Sequence, residues 1–196
     1  MNKPTLGSVI LAAGFSKRFG PANKLLATAG GRPIIESVLD TIVACPFDHV
    51  VVVVQSTDDG VGVLAKRFPV TIAVNPQPSA GMGSSLACAA CELQDKGLDG
   101  VAIFPGDVPF IKPATIARLC SEFVDSGCNT IIRPFVGEQP GHPVLFPGDL
   151  IDELCQLTGD VGGRVVIDRY SERVQRVQVE DRGVVLDVDE PTDLHG

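Results

Sequence analysis

The sequence predicts an α/β protein with a mostly parallel sheet and helices on both faces, and three observations lead there. Strand-like apolar runs alternate with helical stretches over the first two thirds of the 196 residues. Two of those runs, Val50 to Val54 and Val101 to Phe104, are apolar throughout, as central strands covered on both faces must be. Finally, a glycine-bearing, positively charged loop follows the first run, where an open parallel sheet turns its carboxyl edge to a ligand.

Taken in order, Ser8 to Ala12 reads as a strand, Ile34 to Ala44 as a helix, His49 to Gln55 as a strand and Val61 to Phe68 as a helix. Val70 to Val74 follows as a strand, and Ser84 to Gln94 as an Ala-rich helix that Ser84 is placed to cap. Gly100 to Phe104 and Thr130 to Phe135 are strands around a helix at Pro113 to Ser126. Beyond Gly137 the pieces shorten: Pro143 to Phe146, a helix over Gly148 to Gln156, then Arg164 to Tyr170. Val174 to Val179 and Val184 to Val188 read as strands, the former alternating imperfectly with polar neighbours. These suggest a small antiparallel extension near the C-terminus. No repeat or Gly/Ser linker divides the chain, so one domain is expected over 1–196.

A net charge of -8 and a pI near 4.8 argue against a nucleic acid or an anionic membrane as partner, since both need a positive field. The first residues carry no long apolar signal region and no stretch reaches the length of a membrane span, which predicts a cytoplasmic protein. The six cysteines lie in apolar surroundings and read as free, buried thiols. Cys88 and Cys91 form a C-x-x-C, but no second pair or nearby His completes a zinc site.

In the loop after the first strand, Gly14 and Gly20 allow close approach of backbone to phosphate, and Lys17, Arg18 and Lys24 supply charge opposite in sign to the chain as a whole. Two familiar phosphate loops fail on spacing. A Walker loop needs Lys and then Ser or Thr after its second glycine, where Pro21 stands, and Phe15-Ser16 after Gly14 breaks the dinucleotide fingerprint. Solvated surface lysines are the alternative. Across the chain, Asp107 ends the strand Val101 to Phe104 at the same edge, and strand alternation would put Asp187 and Asp189 on one face. One or two such carboxylates suit Mg²⁺ beside phosphate oxygens. Each acid taken alone also fits a turn or a solvated end.

The run Leu11-Ala12-Ala13-Gly14-Phe15-Ser16-Lys17-Arg18-Phe19-Gly20-Pro21-Ala22-Asn23-Lys24-Leu25-Leu26 resembles the L-A-A-G-x-S-x-R-M-G-x-x-N-K-L-L signature of the molybdenum cofactor cytidylyltransferases, a MobA-like nucleotidyltransferase family. Phe19 replaces the usual Met. Ala13 and Asn23 are similar to the cytidylyl branch, since the related guanylyltransferases show L-A-G-G and an Asp before the Lys. Four further elements follow in family order: Asn75 to Leu86, Gly106-Asp107-Val108-Pro109, Gly141 to Phe146 with Gly159 to Arg164, and Asp187 to Leu194, where Glu190 replaces Thr.

The resemblance implies a Rossmann-like fold of the nucleotide-diphospho-sugar transferase type and transfer of CMP from CTP to the terminal phosphate of molybdopterin, or of its molybdenum-loaded form, with release of pyrophosphate. It implies that Lys24, Arg18 and Asp107 carry the chemistry and that Asp107 and Asp189 hold Mg²⁺. Leu11, Ala12, Ala13, Gly14, Ser16, Arg18, Lys24, Asn75, Gly81, Ser84 and Ser85 would bind the nucleotide; His142 and Arg164 would face the acceptor, although a His beside Pro143 also reads as structural. A monomer in transient contact with a molybdenum hydroxylase is the expected state. The alternatives are GTP or a sugar phosphate as substrate on the same fold, and a non-catalytic protein that carries the pterin cofactor to such a hydroxylase.

Overall fold

A computed structural model of the chain describes residues 3–14 and 23–188. Strand β1 (Leu6–Leu11) is followed by a 3-10 turn (Lys24–Leu26), a hairpin of β2 (Thr28–Ala29) and β3 (Arg32–Pro33), and helix α1 (Ile34–Val43). Then come β4 (His49–Val54), α2 (Gly60–Ala65), β5 (Thr71–Val74), α3 (Met82–Cys91), β6 (Gly100–Pro105) and α4 (Pro113–Asp125). The rest comprises β7 (Ile131–Val136), β8 (Gln139–Pro140), β9 (Val144–Pro147), α5 (Ile151–Cys155), α6 (Arg164–Arg169) and β10 (Val174–Gln178).

Seven strands line up as β10-β7-β9-β6-β1-β4-β5, with β8 folded back on β7. β1 lies parallel between β4 and β6, and β5 and β10 run parallel to their neighbours. The antiparallel part is β9, wedged between β6 and β7, together with β8. Strand β6 and the Val50 to Val54 run of β4 are apolar throughout because each face has its own layer of helices. Val52, Val54, Ala102 and Phe104 pack toward α1, α2 and α4, while Val51, Val53, Val101 and Ile103 pack toward α3, α5 and α6. Ile116, Leu119, Cys120 and Phe123 repeat at helical spacing on the buried stripe of α4. Each large apolar side chain buried this way stabilises by roughly 1.5–3 kcal/mol.

Three expectations are corrected. The segment expected to be a strand at Val184 to Val188 is not one: Arg182–Val185 is a 3-10 turn. Asp181 accepts from Gly183 N at 3.0 Å through Oδ1, and through Oδ2 from Lys112 N at 2.9 Å and Thr115 Oγ1 at 2.7 Å. That carboxylate curls the backbone and anchors it to the start of α4, so strand alternation cannot align Asp187 with its neighbours. Secondly, α3 begins at Met82 with Gly81 as its cap, and Ser84 lies inside the first turn. Thirdly, the cysteines are free, but Cys91 is exposed and only Cys45 and Cys120 are fully buried. Among the described residues no helix is long and apolar enough to cross a membrane.

Candidate nucleotide and acceptor site

The end of β1 is held from both sides. Ala12 N donates to Val53 O at 2.9 Å, and Gln55 Nε2, just past β4, donates to Ala13 O and Gly14 O at 3.2 and 3.1 Å. On the other flank Gly106 N donates to Leu11 O at 2.9 Å, so close that a Cβ on Gly106 would stand 2.7 Å from that oxygen. Only glycine permits this approach, and it delivers Asp107 beside the β1 loop. Lys24 arrives from the opposite direction on the 3-10 turn, which Asn23 caps by accepting from Leu25 N at 3.0 Å. Its Nζ donates to Asp107 Oδ2 at 2.7 Å, while Asp107 Oδ1 is buried with no hydrogen-bond partner among the described residues.

A second group gathers where β5 passes into α3. Asn75 is buried; its Nδ2 donates to Ser84 Oγ and Ser85 Oγ at 3.0 and 2.9 Å, and its Oδ1 accepts from Gln77 N at 2.9 Å. Ser84 Oγ in turn donates to Gly81 O at 2.8 Å. Gly81 has a φ of 101°, and a Cβ there would lie 2.5 Å from Gly159 O. The start of α3 is thereby clamped to the 158–160 loop, with Gly83 N donating to the same Gly159 oxygen at 2.9 Å.

The far wall is built by β7, β9 and α6. Arg133, His142 and Arg164 face the opening there, among Val144, Phe146 and Ile167. His142 N donates to Val184 O at 2.7 Å and Val188 N donates to Asp107 O at 3.0 Å, so the C-terminal segment ties His142 to Asp107. Burial, and then the nearby Arg133 charge, lower the His142 imidazole to about 4 against a weaker opposing pull from Asp107. It is neutral at pH 7, with a buried Nδ1 that has no partner among the described residues. The three groups surround one cleft of about 1040 Å³.

Residues 8–174 match the MobA-like NTP transferase domain. The chain belongs to that family. It is 28% identical to the nicotine blue oxidoreductase of Paenarthrobacter nicotinovorans over 95% of this chain and 93% of that protein. It superposes on Rv0371c from Mycobacterium tuberculosis H37Rv with a TM-score of 0.79 at 26% identity, covering 97% and 96% of the two chains. A nucleotidyl transferase from Methanothermobacter, at 18% identity, TM-score 0.78 and coverage of 96% and 94%, shares the fold. The MobA-like domain here is thus a mostly parallel nucleotidyltransferase sheet, as its strand order also shows.

Of the residues singled out in this MobA-like sequence, Leu11, Ala13, Gly14, Lys24, Gly81, Ser85, Asp107, His142 and Arg164 line the cleft. Ala12, Asn75 and Ser84 do not. Ala12 is buried in the core, and the other two brace the loop before α3. Ser16, Arg18 and Asp189 lie outside the described residues. Sequence reasoning missed Gln55, which holds the β1 loop, and Arg133, whose only sequence signal is a lone charge inside the apolar run Ile131-Ile132-Arg133-Pro134-Phe135.

The donor set at the Lys24 end suits a hard divalent cation shared with phosphate. Asp107 keeps one oxygen without a partner, and no group of three or more His, Cys, Asp or Glu able to form an all-protein cage occurs among the described residues. Magnesium characteristically takes few carboxylates and completes its shell with water and phosphate oxygens.

Proposed function

We propose that this chain transfers CMP from CTP to the terminal phosphate of molybdopterin, or of its molybdenum-loaded form, and releases pyrophosphate. The observation that carries the reading is the Lys24–Asp107 pair at the mouth of the β1 loop, a cation and a half-open carboxylate meeting where the family signature sits. Residues 1–196 are taken as one domain for this purpose.

In this reading Ala13, Gly14, Gly81 and Ser85 seat the nucleotide, and Lys24 Nζ stabilises the charge that develops on the α-phosphate. Arg18 and Ser16 are assigned to the rest of the triphosphate from the signature alone. Asp107 and Asp189 would hold Mg²⁺, which when bound neutralises charge on the phosphate oxygens. Asp189 follows Val188, whose N–H is bonded to Asp107 O, and that adjacency supports the pairing. A phosphate monoester has lost its second proton near pH 7, its second pKa being about 6. The nucleophile therefore arrives deprotonated, and the chain needs no general base. One acceptor oxygen bonds to the α-phosphorus, the bond from that phosphorus to the bridging oxygen breaks, and the electron pair leaves on pyrophosphate.

The test is pyrophosphate release by the purified chain with Mg²⁺, molybdopterin and each of the four nucleoside triphosphates. CTP is expected to give release above background. Release with GTP and none with CTP would reassign the nucleotide. Tight binding of the pterin with no release from any triphosphate would favour a cofactor-carrying protein, a reading kept in view because one full-length relative is named an oxidoreductase.

A further inference from the structure

Arg133 is a guanidinium in an apolar wall that forms no ion pair among the described residues. It projects from β7 between buried neighbours, and its Nε is buried with no hydrogen-bond partner among the described residues. The strongest charge acting on it is a second guanidinium, Arg164, which is exposed and pairs at 3.6 Å with Asp168. Burial and then Arg164 both lower the Arg133 pKa, with Asp168 opposing only in part. The face of Phe135, 5.9 Å from Arg133 Cζ, offers weak compensation. Beside them lies the unpartnered Nδ1 of neutral His142. A half-buried guanidinium and an orphaned polar atom on one wall, next to Val144 and Phe146, are unfavourable unless an anion lies against them.

That wall stands apart from the end of β1, where the triphosphate tail is assigned. From β1 to β7 the order runs β1-β6-β9-β7, three strand spacings or roughly 14 Å. Arg133 thus sits across β9 and β6 from the end of β1, with Asp107 following β6 in between. We propose that Arg133, aided by Arg164 and His142, forms the subsite that grips the acceptor's phosphate monoester and turns one of its oxygens toward the Lys24–Asp107 pair. This rests on the reading above that the cleft joins a nucleotide to a phosphate-bearing acceptor. The fork of donors on Arg133 holds two phosphate oxygens and leaves the third to attack, a geometry that a point charge would not impose.

The probe is phenyl phosphate, a phosphomonoester on a flat ring, titrated calorimetrically into the full chain alongside CTP with Mg²⁺. Arg133→Gln is expected to weaken phenyl phosphate by about tenfold, the worth of one charge-assisted contact, and to leave CTP within about twofold. Arg164→Gln, at an exposed position that tolerates the change, is expected to weaken the same probe by about threefold and serves if the Arg133 variant does not fold. Unchanged affinity for phenyl phosphate in the folded variants overturns the subsite, as does an equal loss for CTP. If the protein releases no pyrophosphate from CTP and molybdopterin while Arg133→Gln still loses phenyl phosphate, the subsite stands and the substrate assignment falls.

Discussion

Lys24 and Asp107, 83 residues apart in the chain, meet at 2.7 Å on the carboxyl edge of the sheet. Two unrelated pieces of local structure create the meeting: a 3-10 turn capped by Asn23, and a glycine at position 106 that lets β6 close against the end of β1. Among the described residues only one oxygen of the carboxylate has a partner. Such a pair is poised to divide its labour, the ammonium to phosphate and the carboxylate to a cation.

Lys24→Ala removes the one described cation beside Asp107 Oδ2. Turnover is expected to fall by about 10²–10³-fold, the usual consequence of deleting one preorganised stabiliser of developing charge. Steady-state pyrophosphate release checks it, and full turnover in the variant would remove Lys24 from the mechanism.

Asn75→Ala tests the brace behind the nucleotide loop. The side chain makes three bonds from a buried position, so its loss removes the donor to the Ser84 and Ser85 hydroxyls and is expected to destabilise by about 2 kcal/mol. Urea denaturation reads this. The KM for nucleotide is expected to rise more than kcat falls, because Asn75 positions the loop and does not line the cleft.

The central sheet was legible because burial on both faces makes a strand apolar at every position, as at Val50 to Val54, and because glycine and lysine stand where a parallel sheet exposes its carboxyl edge. What escaped depends on distant contacts. Val184 and Val188 are as buried as strand residues would be, yet Asp181 reaches back 69 residues to the amide of Lys112 and bends the segment into a turn. Arg133 read as one charge in an apolar run. Its place on the cleft wall follows from β9 inserting antiparallel beside β7, which local periodicity does not reveal.

Asp181 also supplies a pH dependence. Burial raises its pKa, but the bonds from Lys112 N, Thr115 Oγ1 and Gly183 N outweigh that and leave it below the ordinary value. A depressed carboxylate stabilises the fold above its unfolded pKa, roughly 3.9, and loses that contribution as pH falls through the folded value. Asp181→Asn is therefore expected to cost about 2 kcal/mol at pH 7, with the gap to wild type constant down to about pH 4 and closing below it. Melting temperatures of both proteins, measured between pH 3 and pH 7 in steps of about one pH unit, check the sign.

The most direct test is calorimetric titration of CTP into wild type and Asp107→Asn, with and without Mg²⁺. Magnesium is expected to tighten CTP binding to the wild type by about tenfold or more and to have little effect on the variant, because a neutral amide is a poor ligand for a hard cation. An equal magnesium effect in both proteins would contradict a triphosphate–metal site at the Lys24–Asp107 pair.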